Sequence, residues 1–333
     1  MIQFIVRRLI LMVVLLWIVS MVTFGIFFLI PKATHTSTAA LFAGKAPTAE
    51  TIHEVEIKFG LNKPLVEQYG AFVEGLFVGR HFDAGASKDY CPPPCFGFSF
   101  VNNVSVWTEI KSNMPVTASL AVGASIMWLL SGTAIGVLSA LKKRSIFDRL
   151  AMGIALTGVS LPIYFTGSIL LYLVSFKWGI LPDIHYVGFT DNPIEWARNL
   201  LLPWISLAFL YAALYARLTR AGMLETMGED YIRTARAKGL SERRVISRHA
   251  LRAALTPIVT IFGLDLGQLL GGAILTESTF NLPGLGQLSV QAIFREDLPV
   301  IMGITLFAAF FIVFANLVVD VLYAFVDPRV RYS

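Results

Sequence analysis

Charge is scarce in this chain. Only 15% of its 333 residues are Asp, Glu, Lys or Arg, against 56% hydrophobic residues. A soluble domain carries roughly 25% charged residues, so a soluble enzyme or binding module is excluded. Cysteine is scarcer still, with two residues, and histidine has five; two thiols make neither a disulfide scaffold nor a four-ligand zinc centre. The chain contains no His-Glu-x-x-His pair, no Gly-x-Ser-x-Gly elbow and no phosphate loop ending in Gly-Lys-Ser/Thr. No catalytic residue, resident metal or cofactor is therefore expected, and any uphill transport must draw its energy from elsewhere. Acidic residues within the apolar runs number two, Asp265 and Asp320. Ion-driven secondary transporters need relays of such groups, so that class is the weaker alternative, with a non-transporting scaffold behind it.

What the chain does have is long apolar runs, with a mean hydropathy of +0.68. Six exceed or approach the roughly 20 residues that cross a bilayer as a helix: Leu9–Ile30, Met114–Leu141, Leu150–Phe176, Asn199–Ala216, Ala253–Leu275 and Pro299–Tyr323. The fold class is an all-α polytopic membrane protein. The first run is too long for a signal-peptide core and is read as retained. With the N-terminus in the cytosol, segments 1–8, 142–149, 217–252 and 324–333 carry 17 of the 27 basic residues but 6 of the 22 acidic ones. Basic residues favour the cytosolic face, so both termini are expected there. The pI near 9.2 thus reports topology rather than nucleic-acid binding.

Segment 31–113 is expected outside, between the first helix (with the N-terminus, 1–30) and a five-helix core, 114–323. Its runs Thr48–Phe59 and Val66–Phe77 are amphipathic, and Thr48 can cap the first, so a small helical subdomain is expected. Both cysteines lie here, in Cys91-Pro-Pro-Pro-Cys95. The oxidising compartment permits a bridge. Extended polyproline would hold the two Cα atoms about 12 Å apart, whereas a disulfide needs less than about 7 Å, so bridging requires a turn. Metal binding by two thiols with no nearby histidine is not expected.

Gly132 and Gly136 on the second run, and Gly263, Gly267 and Gly271 on the fifth, recur every four residues and allow close helix approach. Pro162 and Pro203 are expected to kink their helices. Asp265, with Gln268 three residues on, can contact substrate or make an interhelical hydrogen bond.

The cytosolic segment 217–252 holds the most basic residues of any segment outside the apolar runs, nine, with seven Arg or Lys between Arg233 and Arg252. Glu229–Lys238 predicts a helix with Glu229 and Asp230 in its first turn, ended by Gly239. Ser241 predicts the cap of a second helix, Glu242–Leu255, that runs into the fifth span and is kinked at Pro257. Short helices alone in water are marginal, so the first, with Tyr231 and Ala235 along one side, needs a protein partner or an anionic lipid surface.

Tyr231-Ile-Arg-Thr-Ala-Arg-Ala-Lys-Gly-Leu240, followed by Arg248-His-Ala-Leu-Arg-Ala-Ala-Leu-Thr-Pro257, resembles the coupling loop of binding-protein-dependent ABC importer permeases, peptide/nickel subgroup, and most closely the first of the two permeases of dipeptide and oligopeptide importers. Further matching stretches are Arg7-Arg8, Phe59-Gly-Leu-Asn-Lys-Pro-Leu65, Gly158-Val-Ser-Leu-Pro162, Glu277-Ser-Thr-Phe280, Pro283-Gly-Leu-Gly286 and Asp327-Pro-Arg329. The chain departs from the wider pattern in Arg233-Thr-Ala235 where Glu-Ala-Ala is usual, in Pro31-Lys-Ala-Thr34 where Pro-Gly-Asp-Pro is usual, and in an insertion around Cys91–Cys95.

The resemblance implies a type I importer permease of six transmembrane helices in the bacterial cytoplasmic membrane. It would pair with a homologous permease, two ATPases that use ATP and Mg, and an extracytoplasmic solute-binding protein. It places Glu229, Tyr231, Arg233, Thr234, Ala235, Arg236, Lys238, Gly239 and Leu240 against an ATPase, with the cations pairing to acidic groups and Tyr231 and Ala235 filling a cleft. Glu277, Phe280, Pro283, Gly284 and Gly286 would lie near an outer gate, and Asp265 and Gln268 on the substrate path. Peptides are the expected cargo, with nickel, haem or another solute as alternatives.

Overall fold

The computed structural model describes residues 2–34, 37–45, 47–84, 87–181 and 184–326; the Asp327-Pro-Arg329 tail lies outside them. In chain order the elements are α1 (Ile2–Phe24, prolonged by a π-helical turn and Ile30–Ala33), α2 (Thr38–Phe42), α3 (Ala49–Phe59), α4 (Leu65–Val78), β1 (Arg80–Ala84), β2 (Ser87–Cys91), β3 (Phe98–Ser99), β4 (Val104–Ser105), α5 (Val106–Leu141), α6 (Ile146–Ser160), α7 (Ile163–Leu170, prolonged by Leu171–Lys177), α8 (Pro193–Gly228), α9 (Asp230–Ala237), α10 (Leu251–Leu270, entered through Glu242–Arg244 and the π turn Val245–Ala250), α11 (Ile274–Thr279), α12 (Leu285–Arg295) and α13 (Leu298–Val326). Among the described residues five helices are long and apolar enough to cross a membrane, or six if the bent pair Ile146–Ser160 and Ile163–Lys177 is counted as one span.

That pair corrects one expectation. Leu150–Phe176 is not a single kinked span: α6 and its continuation α7 meet at 106°. Leu161 and Pro162 both adopt extended backbone, with ψ of 130° and 142°. A proline disfavours helical geometry at the residue before it, so the helix ends there. Pro203 and Pro257, by contrast, lie inside uninterrupted helices. The long helices also overrun the apolar limits: α5 begins eight residues before Met114, and α8 continues to Gly228. Most of segment 217–252 is therefore helix rather than loop.

One compact unit comprises 1–117, 267–274 and 283–333. Phe24, Phe28, Phe42, Phe59 and Phe82 form a chain of ring contacts through its core. Thr48 caps α3, its side chain accepting from the Thr51 N–H. The expected purely helical subdomain also contains two antiparallel hairpins, β1–β2 and β3–β4. Cys91 and Cys95 are buried and bridged, with Cα atoms 5.5 Å apart, across a turn that includes a cis peptide at Pro93–Pro94. Lys58, 8% exposed, pairs with Asp89 at 3.0 Å and lies over the Phe100 ring. Arg8 on α1 pairs with Asp320 on α13 at 2.9 Å. Asp297, buried before α13, accepts from the Ser99 hydroxyl; burial raises its carboxyl above the usual range, against that bond. Gly267 and Gly271 face Ala315 and Ala308 of α13, so that stripe serves packing within the chain.

The second unit comprises 118–266 and 275–282. Here Gly132 and Gly136 of α5 abut α8. A Cβ on Gly132 would fall 2.8 Å from the Ala212 carbonyl oxygen, and one on Gly136 2.6 Å from that of Ala216. Only glycine permits this approach.

Candidate functional site

α9 hangs from α8 through one extended residue, Glu229, at φ −68° and ψ 148°. Its eight residues divide sharply. Ile232, fully buried, and Ala235, 7% exposed, enter a cluster with Ala140 at the end of α5, Met223 of α8, Val245 and Ala250 below α10, and Ala254 of α10. Burying an isoleucine side chain contributes about 1.5–3 kcal/mol, which offsets the poor intrinsic stability of so short a helix. The end of α9 is a Schellman motif: the Leu240 N–H donates to the Ala235 carbonyl at 3.3 Å and the Gly239 N–H to the Arg236 carbonyl at 2.9 Å. Gly239 takes φ +79° with nothing within 4 Å of an added Cβ, and Leu240 packs back onto the same cluster.

The outward side carries Tyr231, Arg233, Thr234, Arg236 and Lys238, all exposed, with Glu229 before them. Tyr231 is 46% exposed; partial burial and the Glu229 carboxylate push its phenol above the usual value. Arg233 lies 3.4 Å from Asp230 in a pair so exposed that it adds little.

Three expectations are corrected here. Ala235 does not share an outward face with Tyr231: it lies between Tyr231 and Ile232 around the helix and turns in with Ile232. Arg236 is engaged within the chain, its Nε 2.6 Å from Glu242 Oε1. Ser241 occupies the cap position before Glu242, but its side chain makes no capping bond.

Above this cluster lies a clamp that sequence reasoning missed. The Asp148 side chain is 5% exposed and accepts two bonds from Arg220 of α8, Nε to Oδ1 at 2.6 Å and Nη2 to Oδ2 at 2.8 Å. It also accepts from the Ser139 hydroxyl of α5 and from the Arg144 N–H at 2.9 Å. One carboxylate thus ties together the ends of α5, α6 and α8. The sequence does hold a trace of it, because Ser145 and Asp148 have the spacing of a capping box, and the Ser145 side chain accepts from the Asp148 N–H at 3.1 Å.

Residues 132–332, more than half of the chain, match the family model for the binding-protein-dependent transport system inner membrane component, and residues 1–121 match the N-terminal model of such membrane components. The chain belongs to this family. It is an inner-membrane permease. Among its relatives are the dipeptide transport system permease protein of Escherichia coli K12 and the di/tripeptide transport system permease protein of Pseudomonas aeruginosa, each 37% identical over 100% of both chains. A Brucella abortus permease protein named for a peptide transport system is 41% identical over 92% of this chain and 93% of its own. A chain of the inward-facing MetNI methionine ABC transporter is 16% identical, covers 66% of this chain and 97% of its own, and superposes with a TM-score of 0.54, a likeness of fold alone.

The remaining predicted residues of the permease fall apart into separate settings. Glu277 and Phe280 are buried at the end of α11, with Phe280 packed on Gly167 of α7. Gly284 and Gly286 are buried at the start of α12, Gly286 against Gly272, while Pro283 is exposed. Only Pro283 among these presents a side chain outward. Gln268 is exposed on α10, and Asp265, half-buried, accepts a 2.8 Å bond from the Tyr215 hydroxyl. That is the interhelical bond the sequence allowed as an alternative to substrate contact.

Proposed function

We propose that this permease forms one half of the translocation path of an ATP-driven importer of di- or oligopeptides, and that α9 is the lever through which a separate ATPase moves it. The observation that carries the reading is the two-sidedness of α9. Ile232 and Ala235 are fixed in one cluster with the ends of α5, α8 and α10, while Tyr231, Arg233, Thr234 and Lys238 project outward. An eight-residue helix with this much outward charge and this little inward surface gains its rigidity from the cluster. A partner that grips the outer face therefore displaces the cluster, and with it three long helices. Differential grip between two ATPase states is what conformational coupling requires. The peptide-permease relatives support the cargo, and membership of the binding-protein-dependent family supports a second homologous permease, two ATPases that bind ATP and Mg, and a solute-binding protein as partners. Glu229 extends the docking surface, and Pro283 is the residue best placed for an outer contact.

The test compares the wild type with Tyr231→Ala/Arg233→Glu/Lys238→Glu after mild-detergent extraction. ATPase and second permease should co-purify with the wild type, and the variant should lose the ATPase and ATP-dependent dipeptide uptake in proteoliposomes. Retained ATPase and normal uptake in the variant would overturn the reading.

A further inference from the structure

Asp265 lies twelve residues beyond Ala253, the start of its apolar run. At 1.5 Å per residue that is about 18 Å into a hydrocarbon core of about 30 Å, close to mid-membrane. Its carboxylate is half-buried, accepts one bond, from Tyr215, and has no cation paired with it among the described residues. Tyr215 is fully buried, which fixes its hydroxyl on Asp265 Oδ2. The same group includes Trp128, fully buried, stacked on Tyr211 at 4.6 Å and in contact with Tyr215 and Phe262. A carboxylate at this depth cannot face acyl chains without a large cost, so it faces the interior of the helix bundle or a water-filled path through it. A fixed anion there, with tyrosine rings at its side, is complementary to a small mobile cation that can share ion-pair and cation–π contacts.

From this geometry we infer that Asp265, held by Tyr215 and flanked by Tyr211, is a subsite for the primary ammonium group of the transported peptide as it crosses mid-membrane. The inference rests on the peptide reading above. No covalent step is involved: the ammonium meets the carboxylate on the way through and leaves because a single ion pair, open to water, holds it weakly.

The two native cysteines are bonded to each other, so one introduced thiol is the only free one in the chain. Ile261→Cys places it one turn from Asp265 on the same helical face. The assembled transporter carrying Ile261→Cys is first checked for uptake, then treated with cationic aminoethyl and anionic sulfonatoethyl methanethiosulfonate. The cationic reagent should react faster by about tenfold or more relative to the free thiol, as expected for a charge one helical turn away at an effective dielectric near 20. Asp265→Asn, which can still accept from Tyr215, should collapse that preference and lower the maximal rate of dipeptide uptake with the ATPase still assembled. Tyr215→Phe should lower the preference in part, and a saturating dipeptide should slow the cationic reagent more than the anionic one. No labelling by either reagent, or a preference unchanged by Asp265→Asn, overturns the inference. A preference that depends on Asp265 but is insensitive to the dipeptide also overturns it, and points instead to a cation of the second permease or to an inorganic ion. Failure of the peptide reading is separately visible as absence of ATP-dependent dipeptide uptake in the unmodified complex, which the labelling does not require.

Discussion

The segment between the first two spans and the basic segment around α9 solve opposite problems. The former turns its side chains inward: a run of phenylalanine rings, a Lys58–Asp89 pair with the lysine buried, and a disulfide join it in one core with the first helix and α13. α9 commits only Ile232 and Ala235 inward and leaves five polar or aromatic side chains outside. A region that needs no outside partner closes against its own chain, whereas a region that transmits motion must be firm on one side and available on the other. Firmness in the α9 region comes from elsewhere, from the small-residue cluster beneath it and the Asp148 clamp above.

The largest expected effect tests that clamp. Arg220→Ala leaves the buried Asp148 carboxylate without its bidentate partner, and breaking such a pair by removing one side is strongly destabilising. The unfolding midpoint in detergent should fall by about 10 °C. Asp148→Asn combined with Arg220→Met should recover much of the loss, because the penalty lies in the orphaned charge. If Arg220→Ala melts like the wild type, the α9 region draws its firmness from the cluster alone.

Ile232→Ala comes next. Its side chain is fully buried, and truncation of such a residue costs about 2–5 kcal/mol when the site cannot collapse. The cost should be local, releasing α9 and exposing its amides to hydrogen exchange while the segment between the first two spans stays protected. ATP hydrolysis should persist with less peptide moved per ATP. Equal loss of protection in both segments would mean that the two are not independent.

Cys91→Ala/Cys95→Ala is the reciprocal experiment on the self-contained side. Closing so short a loop stabilises by about 2 kcal/mol. The variant should lose protease resistance near residues 80–105 while still binding the ATPase.

How far these features could be read beforehand follows from whether their signal is local. The Thr48 cap, the end of α9 at Gly239 and the charge bias of the basic segment are set by neighbours within a few residues, and their sequence marks were legible. Ile232 carries no local mark, because Tyr231 and Ala235, four apart, suggest a common face, and only the cluster decides which flank of an eight-residue helix turns in. The Asp148–Arg220 pair spans 72 positions, and each member read as one more charge marking the cytosolic side. The β1–β2 hairpin was missed because its strands are short and polar, held by cross-strand pairs such as His81 with Tyr90. Pro162 was seen, but whether a proline bends a helix or ends it depends on Leu161, whose extended backbone shows only in the fold.

The smallest expected effect gives the sharpest reading of the partner face. Gly239 lies at φ +79° with open space where a side chain would stand. Any L-residue there pays about 1–2 kcal/mol for the left-handed backbone, and this cost is nearly the same for alanine and tryptophan because neither meets the rest of its own chain. Gly239→Ala and Gly239→Trp should therefore melt within about 0.5 kcal/mol of each other, a spread typical of surface changes. Their transport should diverge: the indole stands where an ATPase surface must come close, so Gly239→Trp should lose uptake and ATPase co-purification while Gly239→Ala keeps most of both. Equal transport by the two variants, at equal stability, would show that the space beside Gly239 stays empty in the working complex and would move the docking surface up α9 toward Tyr231 and Arg233.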